Sequence, residues 1–458
     1  MRRLFSGKLS SRKSILAVVL SLLAVVIVLA HILRINQHSD ASGTTKSHLG
    51  PAFSSTNPDS IYAADPADAW NRIFHSLFSR TVKARMSDEF PDVAPFTSLK
   101  EGMSRLRIST RAFEHFENGD RAIDPLYPSF FSGAGVQRIL SDPDFSQLKQ
   151  ALTDALNEKS SRPPLARALM QSDVWAAYDI LLANKTFRGA DAQLLGKKRD
   201  ELLSLLGRFT RKLVLTDEEI RSLPENYSSA TAGKKLPDLF AANSPWLEIQ
   251  MSPHRLHDIS AGYRRATRVF LKPAQTSMDQ AALLEDLRNE KFFPLIDALA
   301  LVTQNLLIDT EGTAVPSHLT TEVQIRTFVK DQTSKLIRTE IHQYELSRRT
   351  FLTDPAQGGL IEIDDKAEVY LPAAGNDYLF ASPQFSGRTS DYPVRVSLRK
   401  RCEVCHGADV SRIFTLSTHF QPPLPPITVL SALDNVHGWY VAGRKQERAD
   451  FQALRSQR

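Results

Sequence analysis

The sequence predicts an α+β protein: an N-terminal transmembrane helix, a helical domain, then a mixed α/β C-terminal domain with antiparallel strands. Three observations predict it. An apolar run follows a basic flank at the chain start. Apolar residues recur at three-to-four spacing through 63–230. After about 235 the texture changes to short segments rich in Val, Ile, Thr and aromatics, bounded by Pro, Gly or Asp. The 458 residues are 42% hydrophobic and 24% charged, so most of the chain has the composition of a folded protein with a sizeable core.

Residues 1–34 hold six of the 57 basic residues and no acidic one; the remaining 51 equal the 51 acidic residues. Basicity is therefore an end effect. An extended nucleic-acid surface, which needs clustered positive charge to displace counterions, is not expected. The run from Ile15 to Leu33 is interrupted only by Ser21 and His31 and is long enough to cross a bilayer as a helix. The basic flank keeps to the cytoplasm and sends the bulk of the chain to the far side. The alternative is a cleaved signal peptide, since Val28 and Ala30 fit a small-residue cleavage pattern. Both readings export the body of the protein, and the anchor reading gives a single-pass inner-membrane protein with its bulk in the periplasm.

Residues 35–62, rich in Ser, Thr, Gly, Asn and Pro, read as a flexible linker. "DPADAWNRIFHSLFSRTVKARM" predicts the first core helix, with Asp65 as N-cap, Pro66 at the first helical position, and Trp70, Phe74, Leu77, Phe78 and Val82 on one face. His75 falls on the same helix as a packing or surface residue. Amphipathic helices follow over 136–161, 163–184 and 190–215, and "LTDEEIRSLPENY" adds a short capped helix that stops at Pro224. Together these predict a helical domain over 63–230. The mixed domain spans 235–458. Its expected strands are "RRATRVFLKP", "EVQIRTFVKD", "GGLIEIDDKAEVYLP" and "DYPVRVSLRKR", with a helix at "SMDQAALLEDLRNEK" and an apolar run at 293–308 that fits either element.

Within that domain stands "RCEVCHGADV", with both cysteines of the chain three residues apart and a histidine directly after the second. Two intervening residues let a tight turn present both sulfurs on one side, where they can form thioethers with the two vinyl groups of a haem. The next residue can then reach the iron. Gly407 follows and lets the macrocycle approach the backbone. The motif resembles the haem-attachment site of c-type cytochromes. That resemblance covers Cys402 to Gly407 and implies one covalent haem c, with Cys402 and Cys405 as thioether attachment points and His406 as proximal ligand to the haem iron. In the small soluble members the motif opens a helical domain and a downstream methionine binds the other face of the iron. Here a strand-like segment precedes the motif and the last methionine is Met278. A downstream methionine ligand is excluded, and the standard class I cytochrome c fold is not expected.

His419 and His437 are the candidate distal ligands, both downstream of the motif. His342 is a more remote one, and His254 and His257 read as structural. Arg395, Arg399, Lys400 and Arg401 form a basic cluster suited to haem propionates, to an acidic partner face, or to a solvated strand edge. Trp439 and Tyr440 are candidates for a haem-pocket wall or for ordinary core.

The expected function is that of a membrane-anchored, extracytoplasmic monohaem c-type cytochrome domain protein, which transfers single electrons to a redox partner in or at the membrane. One alternative is a haem enzyme or gas sensor with an open distal site, peroxidase-like in character. Another is an exported non-haem binding protein whose Cys402 and Cys405 form a disulfide. A zinc site is disfavoured because Cys405 and His406 are adjacent. The sequence contains no P-loop, G-x-G-x-x-G, G-x-S-x-G or H-E-x-x-H motif, and "EIDD" at 362–365 reads as a turn or sheet edge. No catalytic residue is assigned.

Overall fold

The structure, a computed structural model, describes residues 60–81, 115–117, 121–123, 139–183, 185, 187, 191–231, 236–250, 258, 262–274, 279–288, 295–330, 337–363, 368–371, 394–397 and 428–457. The expected membrane segment, the linker up to residue 59, and the stretch 398–427 with Cys402, Cys405, His406 and His419 lie outside these residues.

The chain enters the fold at α1 (Ala69–Phe78), which buries Trp70, Ile73, Phe74, Leu77 and Phe78. The helix begins later than the Asp65 cap predicts, and Asn71 supplies the reason. Its buried side chain accepts from the amides of Ile61 and Tyr62 and donates to the carbonyls of Ala63 and Asp65. Those bonds close residues 61–65 into a loop, and Asp68 Oδ1 takes the amide of Trp70 at 2.9 Å. After α1 come the short strands β1 (Ser79–Thr81), β2 (His115–Glu117) and β3 (Arg121–Ile123), which form a small antiparallel sheet with β3 in the middle.

Three longer helices follow: α2 (Asp144–Asn157), α3 (Pro164–Ala183) and α4 (Ala192–Lys212). Then come the short α5 (Asp217–Arg221) and α6 (Asn226–Thr231). A capping box starts α5: the Thr216 hydroxyl accepts from the Glu219 amide, and the Glu219 carboxylate accepts from the Thr216 amide.

The main sheet has seven antiparallel strands in the order β12-β4-β5-β6-β7-β8-β9. They are β4 (Leu247–Gln250), β5 (Arg265–Pro273), β6 (Ile296–Ile308), β7 (Ala314–Lys330), β8 (Ile337–Leu346), β9 (Leu360–Ile363) and β12 (Thr428–Leu430). A separate pair joins β10 (Glu368–Leu371) to β11 (Val394–Ser397). Helix α7 (Gln280–Arg288) lies between β5 and β6 in sequence, and α8 (Arg348–Thr353) follows β8. The chain ends with α9 (Val436–Gln446) and α10 (Ala449–Arg455). The ambiguous run at 293–308 is strand β6. All but two of its residues are buried, and burial on both faces removes the alternation that would have marked it as a strand.

Helices and sheet share their cores. One cluster joins Trp70, Phe74, Trp175 and Phe209 to Tyr263, Ala266, Leu306, Ile308, Val441 and Phe451. A second joins Leu169, Ile220 and Tyr227 to Phe270, Val302, Val323 and Tyr344 on the sheet. Gln171 of α3 stitches the layers together, accepting from the Ile308 amide at 2.7 Å and donating to its carbonyl at 3.0 Å.

The expected fold class is corrected on its membrane element. Mixed helices and an antiparallel sheet are present, but among the described residues no helix is long and apolar enough to cross a membrane. The reason is visible in α3 and α4. At 20 and 21 residues they have sufficient length, but α3 carries Arg167, Asp173 and Asp179, and α4 carries Lys197, Lys198 and Arg211. Arg167, Asp173, Asp179, Lys198 and Arg211 make ion pairs or hydrogen bonds within the protein.

Candidate functional site

The stretch that carries the cysteine motif and His419 is bounded by two strands. It follows β11, whose residue Arg395 is the cross-strand partner of Tyr370, and precedes β12, the edge strand paired with β4. Arg399, Lys400, Arg401, His254 and His257 lie outside the described residues.

His437 sits in the first turn of α9 and is fully buried. Its Nε2 lies 2.8 Å from Oδ2 of Asp258, itself buried. The Asp258 carboxylate also accepts the Thr267 amide at 2.8 Å, and its carbonyl accepts the Tyr263 amide at 2.7 Å. The pair therefore ties α9 to the start of β5. Tyr440, one turn on, stacks on the imidazole with centroids 6.1 Å apart. Trp439 points away from this cluster and is 57% exposed. His342 lies on β8 with Nδ1 3.1 Å from Glu362 of β9, and His75 packs edge-on against Phe74.

The sheet has one apolar and one polar face across its centre. Directly paired residues of an antiparallel ladder share a face. Phe270, Ala300 and Ile325, with Val302, Val323 and Tyr344 beside them, form the apolar face against the helices. The other face carries a row of Thr267, Thr303, Glu322 and Glu345, and next to it Gln324 and Gln343. Gln343 is fully buried, and its Nε2 donates to Glu322 Oε1 at 3.2 Å and to Glu345 Oε1 at 2.7 Å. Two carboxylates placed directly opposite each other repel; the bridging amide offsets this. Arg326 donates from Nε and Nη2 to Gln324 Oε1 at 3.0 and 2.7 Å. Gln324 in turn approaches Gln343 Oε1 at 3.4 Å. A guanidinium is thus relayed through two amides to two carboxylates. Such an array can bind and orient a polar group; it contains neither a thiol nor an amine nucleophile. Among the described residues no group of three or more His, Cys, Asp or Glu side chains could hold a metal ion.

Three buried ionic groups lock the elements around this sheet. Arg348 of α8 holds Asp173 of α3, which also accepts from Tyr62 at 2.7 Å. Burial and the Asp173 charge push the Tyr62 hydroxyl well above its ordinary range. Asp179 of α3 accepts from Arg264 at 2.7 Å and from Lys445 of α9 at 2.6 Å, and Lys445 also reaches Asp450 at 3.0 Å. Glu248 of β4 and Arg268 of β5 pair at 2.6 and 3.1 Å, both almost fully buried.

Sequence reading missed the Asp258–His437 link and the Gln343 bridge. The signal for the second was present: Glu322, Gln324 and Arg326 alternate with Val323 and Ile325. That alternation reads as a solvated face, whereas the fold buries Gln324 and Arg326.

No protein-family model, curated protein or solved structure matches the chain.

Proposed function

We propose that this protein is an exported c-type cytochrome with a single covalent haem, which passes one electron at a time to a partner at the membrane. The single observation that carries the reading is Cys402-x-x-Cys405-His406, formed by the only two cysteines of the chain. The donor set suits the group: two thiols for the vinyl carbons and an adjacent imidazole for the iron. When bound, haem c supplies a one-electron iron couple. Cys402 and Cys405 would hold the macrocycle, and the His406 imidazole would ligate its iron. His/His ligation gives a lower potential than His/Met ligation. His419 belongs to the same stretch as the motif, whereas His437 is engaged by Asp258. The basic and apolar segment at 1–34 supports the reading independently, since haem c is attached outside the bacterial cytoplasm.

The test is a reduced pyridine-haemochrome spectrum, with an intact mass, of the full chain made alongside a cytochrome c maturation system. One haem per chain is expected, and Cys402→Ala with Cys405→Ala should abolish it. An unchanged mass with no Soret band sinks the reading. Carbon monoxide should leave the reduced spectrum unaltered if both axial positions are filled; a shift indicates an open face and a ligand-binding role.

A further inference from the structure

We draw no further inference here: the strongest candidate, the buried side-chain cluster where Trp175 and Asp179 of α3 meet Lys445 of α9, carries nothing, because Trp175 Nε1 and Asp179 Oδ1 have no hydrogen-bond partner among the described residues and nothing in the structure shows what covers them.

Discussion

Arg268 is a guanidinium at 2% exposure in the centre of a sheet, and its position is bearable only because its charge is answered. Glu248 takes two of its donors, the Ala432 carbonyl takes another, and the rings of Phe240 and Phe270 lie 4.7 and 5.6 Å from its carbon. Arg268→Met leaves Glu248 buried and alone and should cost about 3–5 kcal/mol in urea unfolding. Adding Glu248→Leu should recover most of that loss, because the desolvation cost of both charges then disappears. Asp450 makes a pH prediction. Burial pushes its carboxyl up, but Lys445 and Arg448 outweigh burial and hold it below the ordinary carboxylate range. A depressed folded pKa contributes stability that is present above the unfolded value near about 4 and is lost as pH falls through the folded value. Asp450→Asn should therefore lower stability at about pH 6 and show a shallower decline toward about pH 3, read as urea midpoints. The Glu248–Arg268 and Asp179–Lys445 partnerships are not legible in sequence, since their members are 20 and 266 positions apart, whereas Lys445 and Arg448 lie within five positions of Asp450.

At the scale of elements, local chemistry and packing divide the credit differently. Helix α5 is written in its own residues: Thr216 and Glu219 satisfy each other's orphan amides, and Pro224 stops the chain soon after the end. Thr216→Ala should cost about 1 kcal/mol, seen as a lower urea midpoint with unchanged slope. Helix α9 is written less openly. Its cap is Asn435 in the left-handed region at φ 46°, with its side chain accepting from the Gly438 amide at 3.2 Å. A Cβ at Gly438 would lie 2.5 Å from that cap oxygen. Gly438→Ala should displace the cap and destabilise the protein by about 1–2 kcal/mol, and Asn435→Ala in the same chain should add little. The reading of α1 was displaced for a comparable reason. Asp65 and Pro66 are good start signals, but the side-chain bonds of Asn71 to residues six to ten positions earlier fold residues 61–65 back and postpone the helix to Ala69.

Across the whole molecule, the helices and the sheet do not stand apart. Trp175 of α3 meets Phe451 of α10 at 5.5 Å, and Asp179 of α3 binds Lys445 of α9, so the last residues of the chain complete the core begun by the helices. Heating should give one cooperative calorimetric transition for residues 60–457, and a chain truncated after 231 should bind a hydrophobic dye, because Trp175, Phe209 and Leu206 lose their cover. Two separated transitions, or a well-packed truncated chain, would contradict the shared core. The same closure explains why an α+β composition was readable while the layering was not. Periodicity reports which residues want burial, and it is silent on what will bury them.

The sequence by itself determined the helices of 144–212 and the strand character of 265–273 and 322–330, and the spacing of Cys402, Cys405 and His406, on which the proposed haem attachment rests, is likewise written in it. These depend on spacing and side-chain type within a few residues, which the chain carries wherever it goes. Only the tertiary structure decided that β6 is a strand, that His437 serves Asp258, that Gln343 bridges Glu322 and Glu345, and that Trp439 is left facing outward. Each of those follows from which distant residue arrives as neighbour. Burial on both faces erases the strand signal, and a polar alternation looks solvated until another layer covers it.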